Sequence, residues 1–137
     1  MEKILRIEET SFKKEPKNYS SFVGYQVITD KQTIRLGIDD GQSCCERSGY
    51  FWCNDKPEDF VGAKLRSISI TDKALNEAKM KENDLNPNEQ YFEGGVMFVN
   101  IDTTKGLLQF VAYNCHNGYY GHEAVVISNQ LNKEETL

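Results

Sequence analysis

FVGYQVIT at 22–29 and QTIRLGID at 32–39 stand on either side of Asp30-Lys31. Both runs are rich in β-branched and aromatic residues, and a two-residue connection between such runs reads as a hairpin. Its buried face is expected to carry Phe22, Tyr25, Val27, Ile34, Leu36 and Ile38. Asp39-Asp40-Gly41-Gln42 ends it with a turn by composition.

Further strands read outward from this hairpin. EKILRIEE (2–9) places Ile4, Leu5 and Ile7 among charges, as an edge strand does. TSFKKEPKNYSS (10–21) is polar, carries Pro16, and reads as a loop. AKLRSISITD (63–72) alternates well enough for a strand. VMFVNID (96–102) and LLQFVAY (107–113) are strands joined by Thr103-Thr104-Lys105-Gly106, with Gly106 suited to the left-handed position. YYGHEAVVIS (119–128) is the last strand, and the polar tail NQLNKEETL (129–137) is expected to fray. KALNEAKMKEN (73–83) is the one clear helix, with Asp72 as its N-cap. DKPEDFVG (55–62) reads as a short helical turn, with Asp55 as cap, Pro57 in the first turn and Gly62 closing it. The sum is an α+β class dominated by antiparallel sheet, with seven or eight short strands.

The length of 137 residues fits a single domain spanning 1–137. No run approaches the roughly 20 apolar residues of a membrane helix. The first ten residues, MEKILRIEET, mix charges with apolar side chains, unlike a secretory leader. The expected location is therefore the cytoplasm. Sixteen Lys and Arg against 21 Asp and Glu give a net charge of -5. That balance lacks the basic footprint of direct nucleic-acid binding. It suits a protein partner with a basic surface, such as the channel of a nuclease, and it also serves solubility alone.

Two segments could carry chemistry. In SCCERSGYFWC (43–53), a turn at Ser48-Gly49 would set Cys44 opposite Cys53 and Cys45 beside Trp52. In YNCHNGYYGHE (113–123), a turn at Asn117-Gly118 would bring Cys115 and His122 to one face, with Tyr113 opposite His122. Together Cys44, Cys53, Cys115 and His122 form a candidate structural zinc site of three thiolates and one imidazole. Buried free thiols, which pack as small hydrophobes, are the competing reading. A cysteine-dependent enzyme is a third: Cys115 with His116, or Cys45 with a distant histidine, and Glu46 or Glu123 as the acid. Adjacent residues on a strand point apart, which weighs against Cys115 with His116. The chain has no G-x-S-x-G, H-E-x-x-H, P-loop or G-x-G-x-x-G pattern.

The same segments resemble a family of small uncharacterised domains found mainly in bacteriophage and mobile-element genomes. The family pattern reads here as Ser43-Cys44-Cys45-Glu46, Asp59-Phe60-Val61-Gly62, Thr104-Lys105-Gly106 and Asn117-Gly118-Tyr119-Tyr120-Gly121-His122-Glu123. The resemblance runs over roughly residues 24–128, and Cys53, Cys115 and His122 lie outside the shared pattern. It implies a phage accessory protein, and many such proteins antagonise host defence. The resulting expectation is a non-catalytic inhibitor of a host defence protein, such as a CRISPR effector nuclease. Candidate contacts are Glu46, Asp55, Glu58, Asp59 and Glu123, with Tyr50 and Trp52 as aromatic anchors. The alternative is a small-molecule module, for instance for a nucleotide signal, using Arg35, Arg47, Asn114 and His116.

Overall fold

β-branched and aromatic residues build the expected first hairpin. In the computed structural model, which describes residues 2–13, 21–41, 47–83, 85, 95–115 and 122–137, β2 (Ser21–Thr29) pairs antiparallel with β3 (Thr33–Asp39). The Thr29 hydroxyl closes the turn by accepting from the N–H groups of Lys31 (3.1 Å) and Gln32 (3.0 Å). β1 (Ile4–Lys13) lies on β2 and continues to Lys13 rather than stopping at Glu9.

β8 (Glu123–Ile127) adds to the other side of β3, and β9 (Asn132–Thr136) adds to β8. The first sheet therefore runs β1-β2-β3-β8-β9. The second runs β4-β7-β6-β5, from β4 (Arg47–Trp52), β7 (Gly106–Cys115), β6 (Gly95–Thr103) and β5 (Leu65–Thr71). The two sheets face each other. Val27, Ile34, Leu36, Ile38 and Val126 of the first meet Trp52, Val99, Ile101, Leu108 and Phe110 of the second in one buried cluster. Tyr25 spans the layers, with its ring 5.0 Å from Trp52 and 6.4 Å from Phe110. Each such side chain contributes roughly 1.5–3 kcal/mol relative to exposure.

The second sheet is buried on its outer face as well. Val111 and Phe98 pack there with Cys53, Met80 and Leu85. That double burial explains the near-continuous apolar run LLQFVAY on β7, a central strand with β4 and β6 on its two sides.

Five expectations change. The fold is mainly β, with nine strands among the described residues rather than seven or eight. The helix is shorter: α1 spans Glu77–Glu82, capped by Asn76, whose side chain accepts from Ala78 N–H at 3.1 Å. Residues ahead of it are held to the sheet instead, because buried Gln109 donates to Lys73 O (3.0 Å) and accepts from Leu75 N–H (2.8 Å). No turn forms at Ser48-Gly49, since both lie inside β4 opposite Asn114 and Tyr113. The strand after Asn117-Gly118 does not fold back on β7, whose two edges are occupied, but crosses to the first sheet. The polar tail is an edge strand anchored by Leu137, whose N–H and C=O both bond the His122 backbone (2.7 and 2.9 Å).

Candidate functional site

The β4–β5 connection brings the acidic candidates together. β4 ends as Cys53 N–H donates to Gln109 O at 2.8 Å. Asn54 extends the ladder with its side chain, accepting from Gln109 N–H (2.9 Å) and donating to Leu107 O (2.8 Å). Pro57, with its fixed φ, opens a 3-10 turn over Pro57–Phe60. The cap position is Lys56 rather than Asp55, and no side chain caps it. Gly62, at φ 93°, takes the chain out in the left-handed conformation that glycine tolerates. Lys105 braces the turn from the β6–β7 connection, donating to Asp59 O (3.2 Å) and Val61 O (3.1 Å).

This arrangement leaves an open groove of about 590 Å³ lined by Asn54, Asp55, Lys56, Asp59, Phe60 and Lys105. Phe60 forms its apolar floor, being packed against the main core. Glu58 is exposed on the same turn. The groove is not uniformly negative. Asp55 pairs with Lys79 at 3.6 Å, which also reaches Glu82 at 3.3 Å, and Lys56 and Lys105 share the wall. Lys105 and Asn54 were absent from the sequence candidates. The only hint for Lys105 was its place in the T-K-G turn, which reads as turn chemistry alone.

The other candidate contacts separate. Trp52 is 6% exposed and belongs to the core, so it is not a surface anchor. Tyr50 is half-buried and its phenol donates to Glu9 at 2.8 Å. Burial first, and then the bond to the Glu9 carboxylate and its charge, push that phenol up to about 12. Glu123 lies opposite Thr136, at the end of the first sheet away from the Ile4–Gly62 contact with the turn. Glu46 lies outside the described residues.

The proposed zinc ligands are not brought together. Cys53 is level with Gln109, while Cys115 is opposite Arg47. Six residues of extended strand separate those levels, roughly 20 Å. One ion with Zn–S bonds of about 2.3 Å cannot reach both. His122 is on the first sheet, its Nδ1 3.0 Å from Asp39 O. Cys44 lies outside the described residues. Among the described residues no group of three or more His, Cys, Asp or Glu side chains could hold a metal ion.

Both described thiols are disfavoured as thiolates. Burial pushes Cys53 up, and its Sγ donates to Asn76 O (3.4 Å) while accepting from Asn76 N–H (3.3 Å). Burial also pushes Cys115 up, outweighing Arg47, whose Nη2 is 3.5 Å away. The thiolate is the nucleophilic form, so neither environment activates sulfur. Cys45 and His116 lie outside the described residues. The small-molecule set is scattered: Arg35 is on β3 of the first sheet, Arg47 is on β4 of the second and donates to Asn83 O (2.9 Å), and Asn114 is buried and donates to Leu137 O (3.1 Å).

Among the described residues no helix is long and apolar enough to cross a membrane. No curated protein and no solved structure matches the chain. A family model does match, over residues 2–126, which takes in β1 to β7 and most of β8. The chain belongs to that family, described as a domain of unknown function (DUF7448).

Proposed function

We propose that the chain is a non-catalytic binding protein of phage or mobile-element setting that antagonises a host defence protein. A CRISPR effector nuclease in the host cytoplasm is the target that the motif resemblance favours. The observation that carries the binding part of this reading is one open groove lined by Asp55, Asp59 and the Phe60 ring, with Glu58 exposed on the same turn. An open groove of mixed charge suits a protein surface better than an enclosed small ligand. For Cys53 and Cys115 the raised thiols favour a packing role over a nucleophilic one, because a cysteine nucleophile needs the opposite shift.

The test is titration of the full chain against a purified Cas9-type nuclease at two salt concentrations, with cleavage as a second readout. We expect binding that weakens with salt, and a Kd raised about tenfold or more by the triple reversal D55K/E58K/D59K. Undiminished inhibition by the triple variant would remove the groove from the interface. A chain that neither binds nor inhibits the nuclease would remove this target.

A further inference from the structure

A short ladder joins the start of β1 to the segment ahead of β5. Ile4 N–H donates to Ala63 O at 2.9 Å, and Leu65 N–H donates to Glu2 O at 2.8 Å. These two bonds flank the bridge pair Lys3–Lys64. Lys3 and Lys64 are therefore a non-hydrogen-bonded antiparallel pair, the kind whose opposed side chains stand closest. Ile4, Ala63 and Leu65 are buried, so the two lysines point outward, and both are exposed. Like charges directly opposite each other repel.

The ladder continues through a bulge. Gly62 N–H donates to Ile4 O at 2.8 Å, so Gly62 and Ala63 both oppose Ile4, with Gly62 at positive φ. The next position along each strand is Leu5 on one and Val61 on the other. They are 45% and 40% exposed, two of the three large hydrophobic side chains left exposed among the described residues. The Lys105 ammonium sits 3.1 Å from Val61 O. Two exposed aliphatic side chains thus follow the exposed Lys3 and Lys64 along the paired strands, with the Lys105 ammonium against the Val61 carbonyl, on a protein whose net charge is -5. The Asp30 carboxylate nearby accepts from Lys3 N–H at 3.0 Å, on the hairpin turn.

We propose that the Lys3–Leu5–Val61–Lys64 strip docks an acidic segment of a partner protein that carries aliphatic side chains. A carboxylate set between Lys3 and Lys64 relieves their repulsion, and aliphatic groups cover Leu5 and Val61. A second copy presenting the same strip would oppose lysine to lysine across a two-fold axis. An anionic membrane would repel the remainder of an acidic chain. This strip presents lysines and aliphatic side chains, whereas the turn beside the groove carries Asp55, Glu58 and Asp59, and Lys105 touches both.

The experiment is fluorescence anisotropy of a short labelled peptide in which Glu and Leu alternate, titrated with the full chain. Peptides with Lys for Glu, or with Ser for Leu, serve as controls, as do vesicles containing phosphatidylserine. We expect saturable binding of the Glu/Leu peptide that salt weakens. K3E/K64E and L5S/V61S should each raise its Kd by about tenfold. Because these side chains are exposed, the melting temperature should hold. The single variants K64Q and L5S, each expected to weaken binding by a smaller factor, carry the test if a double variant unfolds. No binding of the Glu/Leu peptide, equal binding of the Lys/Leu peptide, or indifference to the variants would overturn the proposal. Binding to vesicles alone through Leu5 and Val61 would overturn it in favour of a lipid surface. Nuclease binding should ignore the strip variants, so loss of peptide binding and loss of nuclease binding report on the strip and the groove separately.

Discussion

The Tyr50 phenol donates to Glu9 at 2.8 Å, joining a strand of the second sheet to the edge strand of the first. The ring is edge-on to Tyr25 at 5.6 Å. Burial and the Glu9 carboxylate both favour the neutral phenol, which is why its ionisation is pushed to about 12. A raised value means that the contribution is complete below the ordinary tyrosine value of 10.0 and is lost as pH rises through about 12. Tyr50→Phe should therefore cost about 1 kcal/mol at neutral pH. It should also reduce the late component of an alkaline absorbance titration, to which Tyr25, raised by burial and by the Glu9 charge, contributes as well. Amplitude lost from the early part of the curve instead would mean that the bond to Glu9 does not hold in solution. From the sequence, a tyrosine two residues before a tryptophan on a short strand looks the same whether it faces solvent or a second sheet.

At the scale of elements, β2 and β3 approach so closely that glycine is needed between them. A Cβ built on Gly24 would stand 1.9 Å from Leu36 O, a backbone atom that cannot swing aside. Gly37, opposite Gly24, lies under Phe12, whose ring atoms are 3.0 Å from where its Cβ would be. Gly24→Ala must push the strands apart, and overpacking of this kind costs about 1–3 kcal/mol or more. The melting temperature should fall clearly, whereas a variant as stable as the parent would show that the hairpin is looser than its geometry. The hairpin itself was legible, because two β-rich runs two residues apart have few alternatives. The extent of α1 was not. Helix formers fill 73–83, but the buried Gln109 amide engages the backbone of Lys73 and Leu75, and tertiary hydrogen bonds outweigh a propensity of a few tenths of a kcal/mol per residue.

Across the whole molecule, Glu2 ties together three segments far apart in sequence. Its carboxylate accepts from Thr29 Oγ (2.5 Å), Gln32 Nε2 (2.7 Å) and Gln130 Nε2 (2.7 Å). Burial alone would raise its ionisation. The bonds from Thr29, Gln130 and Gln32, helped by the charge of Lys31, overcome that and hold it below the ordinary value of 4.5. A lowered carboxylate stabilises fully above the unfolded value and loses that contribution as pH falls through the folded one. Glu2→Gln should cost about 1–3 kcal/mol at pH 7, with the gap to the parent closing as the pH drops below about 4.5. Denaturant melts across that range measure it. A gap constant with pH would show that the loss is one of packing and not of charge.

Composition and local pattern by themselves determined that antiparallel sheet dominates this protein, although they read its class as α+β rather than mainly β. They placed the first hairpin, the Thr103–Gly106 turn and the 3-10 turn, because each depends on neighbours in the chain. They also marked Asp55, Glu58 and Asp59, which lie in one short connection and could hardly be separated. Only the tertiary structure decided which strand lies beside which. β7 takes β4 and β6 as partners, so the strand beginning at Glu123 had to find its place beside β3. That choice set Cys53 and Cys115 at opposite ends of one strand pair and His122 on the other sheet. It turned the polar tail into an edge strand and opposed Lys3 to Lys64. Local propensity cannot foresee such pairings, because an open strand edge is satisfied by any strand whose buried face matches.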